Sequence, residues 1–218
     1  WTDNEGNEYL ICNSRDSRDN SNTWPPVANG GTWGGPTRCI PIAKGGTTAS
    51  GPAKNLLPFF MNAGRTGDGK YMGNAQPAVG VIELKPDAVE NAFVKTLRHI
   101  GRICNGSVNP ARDRTFAGIL AVLYGGHRDI RIYGTTGSVV ETIRSPDKSL
   151  SYLQRPEWST DEDFMVYTVG ARDSDRFTSS KTIIVIHRIS TGMSMKIRHG
   201  AEPQHSCRRY GPGECLFG

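Results

Sequence analysis

The chain has no apolar run approaching the roughly 18–20 residues that cross a bilayer as a helix, which excludes a membrane-spanning helix and disfavours membrane insertion. It lacks a hydrophobic signal-type segment as well: Trp1 is followed at once by Thr2, Asp3 and Asn4, so the start reads as a processed mature end. There is no Cys-x-x-Cys pair, which argues against a zinc ribbon. A Gly-x-Ser-x-Gly elbow, a phosphate-binding P-loop, a dinucleotide fingerprint and a His-Glu-x-x-His helix are all missing, and with them the usual signs of hydrolase, nucleotide, redox-cofactor and metalloprotease chemistry. No cofactor is expected. Sustained helical periodicity is also scarce; Asp87 to Arg98 is the one stretch where a short helix fits.

What is present points to β-structure. The 218 residues include 26 glycines and 13 prolines with 36% hydrophobic content, the composition of a loop-rich all-β domain. The charge excess is modest, 26 Lys and Arg against 21 Asp and Glu, and it is spread along the chain, which disfavours nucleic acid as a partner. Its densest cluster, Lys196, Arg198, His199, His205, Arg208 and Arg209, reads as a solvated basic face.

Five cysteines stand at 12, 39, 104, 207 and 215. Cys207 and Cys215 bracket a loop with Pro212 between two glycines, so a disulfide-closed C-terminal loop is expected over 207–215, with Cys104 as the alternative partner. Cys12 and Cys39 fall on neighbouring strands and are expected to meet across a ladder. Asn105-Gly106-Ser107 is a glycosylation sequon at Asn105. Disulfides and a sequon together suggest a secreted, extracellular protein.

Strand signals recur at Tyr9–Asn13, Thr37–Ala43, Leu56–Asn62, Ala78–Leu84, Phe93–His99, Ile119–Tyr124, Asp129–Tyr133, Ser138–Ile143, Phe164–Val169, Thr182–Ile189 and Ser194–Arg198. Gly125-Gly126, Thr136-Gly137 and Thr191-Gly192 supply turns between them. Ile183 to Ile186 is apolar on both faces, as in a central strand. One pattern occurs twice: Trp1-Thr2-Asp3, an apolar strand and Arg15-Asp16-Ser17 reappear as Trp158-Ser159-Thr160-Asp161, Phe164 to Tyr167 and Arg172-Asp173-Ser174. Repeats of this kind mark toroidal β-architectures.

The stretch Arg155-Pro156-Glu157-Trp158-Ser159-Thr160-Asp161, running through the strand Phe164 to Tyr167 and on to Ser190-Thr191-Gly192, resembles a blade of the TolB-like propellers. Glu162-Asp163 stand where those blades carry a Gly after the Asp turn. A second segment, Ser17-Arg18-Asp19-Asn20-Ser21-Asn22-Thr23-Trp24, is similar to the Asp box of sialidase-type propellers, with Ser21 in place of its Gly. Together these imply a single all-β, β-propeller-like domain over 1–218 with about five short antiparallel blades. The segment at Trp1 would complete the blade formed by the last strands and so remove an open edge.

Function is less legible. Asp161, Glu162 and Asp163, three adjacent carboxylates, read as a solubilising turn, not the spaced pair that glycoside hydrolysis needs. The repeated loops offer more. Arg15, Asp16, Arg172 and Asp173 follow equivalent strands and would share a rim, with donors and acceptors suited to sugar hydroxyls, while Trp24 and Trp33 could form a stacking platform. With no catalytic residues assigned and no metal ligands, the leading expectation is a secreted, non-catalytic carbohydrate-binding or surface-interaction module whose partner is a glycan or cell-surface component. The alternatives are a self-assembling structural subunit of an extracellular polymer or filament, in which the chain would be a homo-oligomer, and a fragment of a polysaccharide-active hydrolase or lyase.

Overall fold

The computed structural model describes residues 1–13, 36–59, 61–74, 80–99, 106–124, 126–171 and 182–199. Every helix or strand among them is a strand, and the strands form four antiparallel sheets in chain order. Sheet A holds β1 (Glu8–Asn13), β2 (Thr37–Ile42) and β3 (Lys54–Leu57). Sheet B holds β4 (Met61–Arg65), β5 (Tyr71–Asn74), β6 (Gly80–Leu84) and β7 (Phe93–His99). Sheet C holds β8 (Gly106–Val108), β9 (Gly118–Tyr124), β10 (Asp129–Gly134) and β11 (Val139–Arg144). Sheet D holds β12 (Tyr152–Trp158), β13 (Phe164–Gly170), β14 (Thr182–Arg188) and β15 (Met193–His199). Neighbours in sequence are neighbours in each sheet, the meander of a propeller blade. The fold is all-β and propeller-like, with four sheets described against an expectation of about five blades.

The chain divides into two compact units, 1–102 and 103–218, each holding two sheets. In the first, Cys39, Leu56 and Leu57 of sheet A meet Met72, Ile82 and Leu84 of sheet B. Backbone bonds add to the contact, since Asn91 and Ala92 donate to the carbonyls of Asn55 and Leu56, both at 2.9 Å. In the second, Ala121, Ile130, Ile132 and Ile143 of sheet C pack on Leu153, Trp158, Met165, Tyr167 and Val185 of sheet D. β9 and β14 lie in the interior of their sheets and are apolar on both faces, as a strand with cover on two sides must be.

Several expectations change. The third strand was expected as one element over Leu56 to Asn62; it is two, β3 and β4, in different sheets, with Pro58 in the break because a proline has no N–H for a ladder. β5, β8 and β12 carried no clear strand signal. β5 contains Gly73, β8 is three residues long, and β12 is interrupted at Pro156, where its register shifts and Arg155 takes a φ of 48°. No helix forms over Asp87 to Arg98; its second half is β7. Among the described residues β1 pairs with β2, and sheet D consists of β12 to β15.

The expected Cys12–Cys39 bridge is also corrected: both are free thiols. The ladder sets Ile11 opposite Cys39 and Cys12 opposite Arg38, so the two cysteines project from opposite faces of the sheet. Cys104, Cys207, Cys215 and Asn105 lie outside the described residues.

The two Trp-headed repeats are displaced by one residue. Trp158 opposes Met165 and joins the core with the preceding sheet, whereas the equivalent bridge near the start is Thr2 to Glu8. Trp1 therefore sits opposite Tyr9 and stacks on it (centroids 5.4 Å apart) on the face that meets the following sheet.

Candidate functional site

The residues expected to bind ligand, Arg15, Asp16, Trp24 and Trp33 in the β1–β2 connection and Arg172 and Asp173 in the β13–β14 connection, lie outside the described residues. So does the Asp-box-like segment. What the described residues bring together is a cleft along β1 and, flanking the sheet-to-sheet contacts, two buried charges set at equivalent turns.

Those turns join the first two strands of sheets B and D. Thr66 and Ser159 close them: their N–H groups donate to the carbonyls of Tyr71 (2.9 Å) and Phe164 (2.8 Å). Their hydroxyls accept the N–H of the same partners, at 3.1 and 3.0 Å, and donate to Asp68 and Asp161. Those carboxylates in turn accept the N–H of Lys70 and Asp163. The next residue after the Asp is left-handed in both, Gly69 at φ 72° and Glu162 at φ 62°.

In the first unit the charge is Arg65, immediately before the turn and only 7% exposed. Its Nε donates to Gly69 O (2.9 Å), Nη1 to Ala88 O (2.8 Å) and Nη2 to Lys85 O (3.2 Å), and the guanidinium lies 3.8 Å from the centre of the Trp1 ring. Burial pulls its pKa down to about 10, so it remains charged at neutral pH. Gly69 leaves room for this stack, since a Cβ there would come within 2.9 Å of Trp1 Cζ2.

In the second unit the charge is Glu162 itself, 6% exposed. Its Oε1 accepts the N–H and hydroxyl of Thr115 (both 2.5 Å) and the N–H of Phe116 (3.0 Å), and its Oε2 accepts Asn109 Nδ2 (2.7 Å). Burial pushes this carboxyl up, but the donors of Thr115, Asn109 and Phe116 outweigh burial and hold it below the ordinary range. The solvated reading of 161–163 is thus overturned at Glu162, while Asp161 is exposed as expected. Asp163 is engaged as well, accepting Arg188 Nε at 2.7 Å and Ser190 N at 3.0 Å, which hold its carboxyl at about 2.

Among the described residues a cleft of about 370 Å³ lies in the first unit, lined by Trp1, Thr2, Glu8, Tyr9, Leu10, Ile42, Gly46 and Thr47. β1 stands at the end of its three-stranded sheet, and Trp1–Thr2 pair with its outer edge: Thr2 bridges Glu8, Tyr9 N–H donates to Trp1 O (2.8 Å) and the Trp1 ammonium donates to Tyr9 O (3.0 Å). Asp3 braces this edge. Its carboxylate accepts the N–H groups of Glu5 and Asn7, at 3.0 and 2.8 Å, together with Asn7 Nδ2 and the Tyr9 hydroxyl. The aromatic pair Trp1–Tyr9 and the exposed hydroxyls and carboxylate of Thr2, Thr47 and Glu8 give the cleft lining both apolar and polar groups. Sequence reasoning missed it because the loop that supplies Gly46 and Thr47 reads as an ordinary exposed linker.

Neither a protein-family model nor a curated protein sequence matches the chain. Among solved structures it is similar to the crystal structure of puromycin hydrolase, at 14% sequence identity and a TM-score of 0.48, over 84% of this chain and 28% of that one. The chain thus spans a little over a quarter of that protein's length.

Proposed function

We propose that the chain is a recognition module of a secreted protein, binding a glycan or another hydroxyl-rich surface component in the cleft along β1. The cleft itself carries the reading. Its volume of about 370 Å³ suits one small ligand or the end of a larger one. Its pairing of aromatic rings with hydroxyls and one carboxylate matches the two faces of a sugar, an apolar C–H face and a rim of hydroxyls. The blades are taken to be of the TolB-like type, supported by the identical bonding of the turns at Thr66 and Ser159.

Titration with an oligosaccharide panel, followed by calorimetry, tests the proposal. Glu8→Gln and Thr47→Val are exposed changes that leave the core intact, and each should weaken binding by about tenfold, roughly 1.4 kcal/mol. Absence of binding at millimolar glycan would refute the reading. A second reading, self-assembly by sheet completion, is favoured by one observation: among the described residues sheet A has three strands where B, C and D have four, and beside β1 the Trp1–Thr2 segment pairs with Glu8 and Tyr9 in place of a full fourth strand. Light scattering separates the two, since a recognition monomer shows no growth in mass with concentration.

A further inference from the structure

The second unit holds a polar chain that none of this accounts for. His187 on β14 and Ser194 on β15 are directly opposite in the ladder and point to the face that meets sheet C. From sheet C, Glu141 on β11 reaches the same imidazole. Ser194 Oγ is 2.9 Å from His187 Nδ1, and His187 Nε2 is 2.9 Å from Glu141 Oε1. Histidine is buried, at 4% exposure, while Ser194 is half-buried and the Glu141 side chain keeps 21% of its surface, so the chain opens toward solvent at the rim of the two sheets. Glu141 accepts the Nε2 proton and thereby fixes the tautomer whose Nδ1 lone pair faces the serine hydroxyl. Tyr167 on β13 adds a fourth group, its hydroxyl 3.4 Å from both Ser194 Oγ and Arg144 O. Burial pushes this phenol up to about 12, so it stays a donor at neutral pH. A buried polar chain of this kind is costly for a core that apolar side chains of similar volume could fill.

We propose that Ser194 is a nucleophile activated by His187 and oriented through Glu141, acting on small carboxylic esters that reach it at the rim of sheets C and D. As the Oγ–carbonyl bond forms, the serine proton passes to Nδ1, and the Tyr167 hydroxyl is the donor within reach of the resulting oxyanion. Collapse breaks the ester C–O bond, and the leaving alcohol takes the proton from Nδ1. Water then attacks the acyl-serine, giving its proton to Nδ1, and the acid departs as Ser194 recovers a proton.

The test is covalent labelling of the whole chain with a fluorophosphonate and with p-nitrophenyl acetate, read by peptide mass mapping and by the burst of p-nitrophenolate. The expected result is one equivalent of label on Ser194, none on Ser194→Ala, and a labelling rate at least about 100-fold lower in His187→Gln. Tyr167→Phe should slow acylation by about 100-fold while leaving reversible ester binding unchanged. Circular dichroism checks each variant; if His187→Gln does not fold, Glu141→Gln replaces it, with an expected drop of about tenfold or more. Absence of label on Ser194 overturns the proposal, as does a rate that His187→Gln or its replacement leaves undiminished.

Discussion

The two units solve one packing problem with charges of opposite sign. Arg65 donates into the carbonyls of the turn and of the loop at 85–88, whereas Glu162 accepts from a loop of sheet C. Each charge sits at the same kind of turn; Arg65 is held by three backbone carbonyls, Glu162 by two backbone N–H groups and two side-chain donors. The sign follows from the backbone groups each charge meets: carbonyls at Gly69, Lys85 and Ala88 suit a cation, and the N–H groups of Thr115 and Phe116 suit an anion. A buried charge here is the residue that completes the backbone's hydrogen-bond accounting.

The comparison predicts unequal costs, because an orphaned N–H is less tolerated than an under-used carbonyl. Glu162→Ala should lose about 3–5 kcal/mol, and Arg65→Met about 2–3 kcal/mol, by urea denaturation. Equal losses would break the argument. Glu162→Gly should cost about 1 kcal/mol less than Glu162→Ala, since glycine accepts the left-handed backbone freely. Gly69→Ala comes next, at about 1–3 kcal/mol, and its penalty should shrink in a Trp1→Ala background where the Cζ2 contact is gone.

Acid gives a smaller, signed effect. Because the Glu162 carboxyl is lowered in the folded state, its contribution is complete above the ordinary carboxylate range, near about 4.3, and is lost as pH falls through the folded pKa. The stability gap between wild type and Glu162→Gln should therefore narrow from about pH 5 downward; a gap that widens contradicts the assignment. Smallest and most alike should be Thr66→Val and Ser159→Ala, about 1 kcal/mol each, because the two hydroxyls make the same bonds.

Sequence made much of the fold legible, for a physical reason. Strands buried on both faces, such as β9 and β14, must be continuously apolar, and β7 was bounded correctly from Phe93 to His99. Edge strands carry less constraint, which is why β8 and β12 escaped notice. The site was harder to read. Glu162 reads as solvated in the sequence because its partners lie 46 to 53 positions away, at a distance no local pattern records. His187 and Ser194 flank a visible Thr191-Gly192 turn, so their apposition was within reach of hairpin parity; Glu141, 46 residues upstream of the histidine, was not.

Sheet D has two dissimilar edges, and that has a consequence for handling the protein. β12 is guarded by Pro156 and the distorted backbone at Arg155, which deny an incoming strand a regular ladder. β15, at the other edge, presents Met193 (70% exposed) and Met195 (62%) at alternate positions on one face, followed by Ile197 (45%) at a register shift. Aggregation in a concentrated stock should therefore be directional, seeded at β15 and not at β12. Two of those three side chains are thioethers, so mild peroxide, which turns them into polar sulfoxides, should lengthen the shelf life of the protein instead of shortening it.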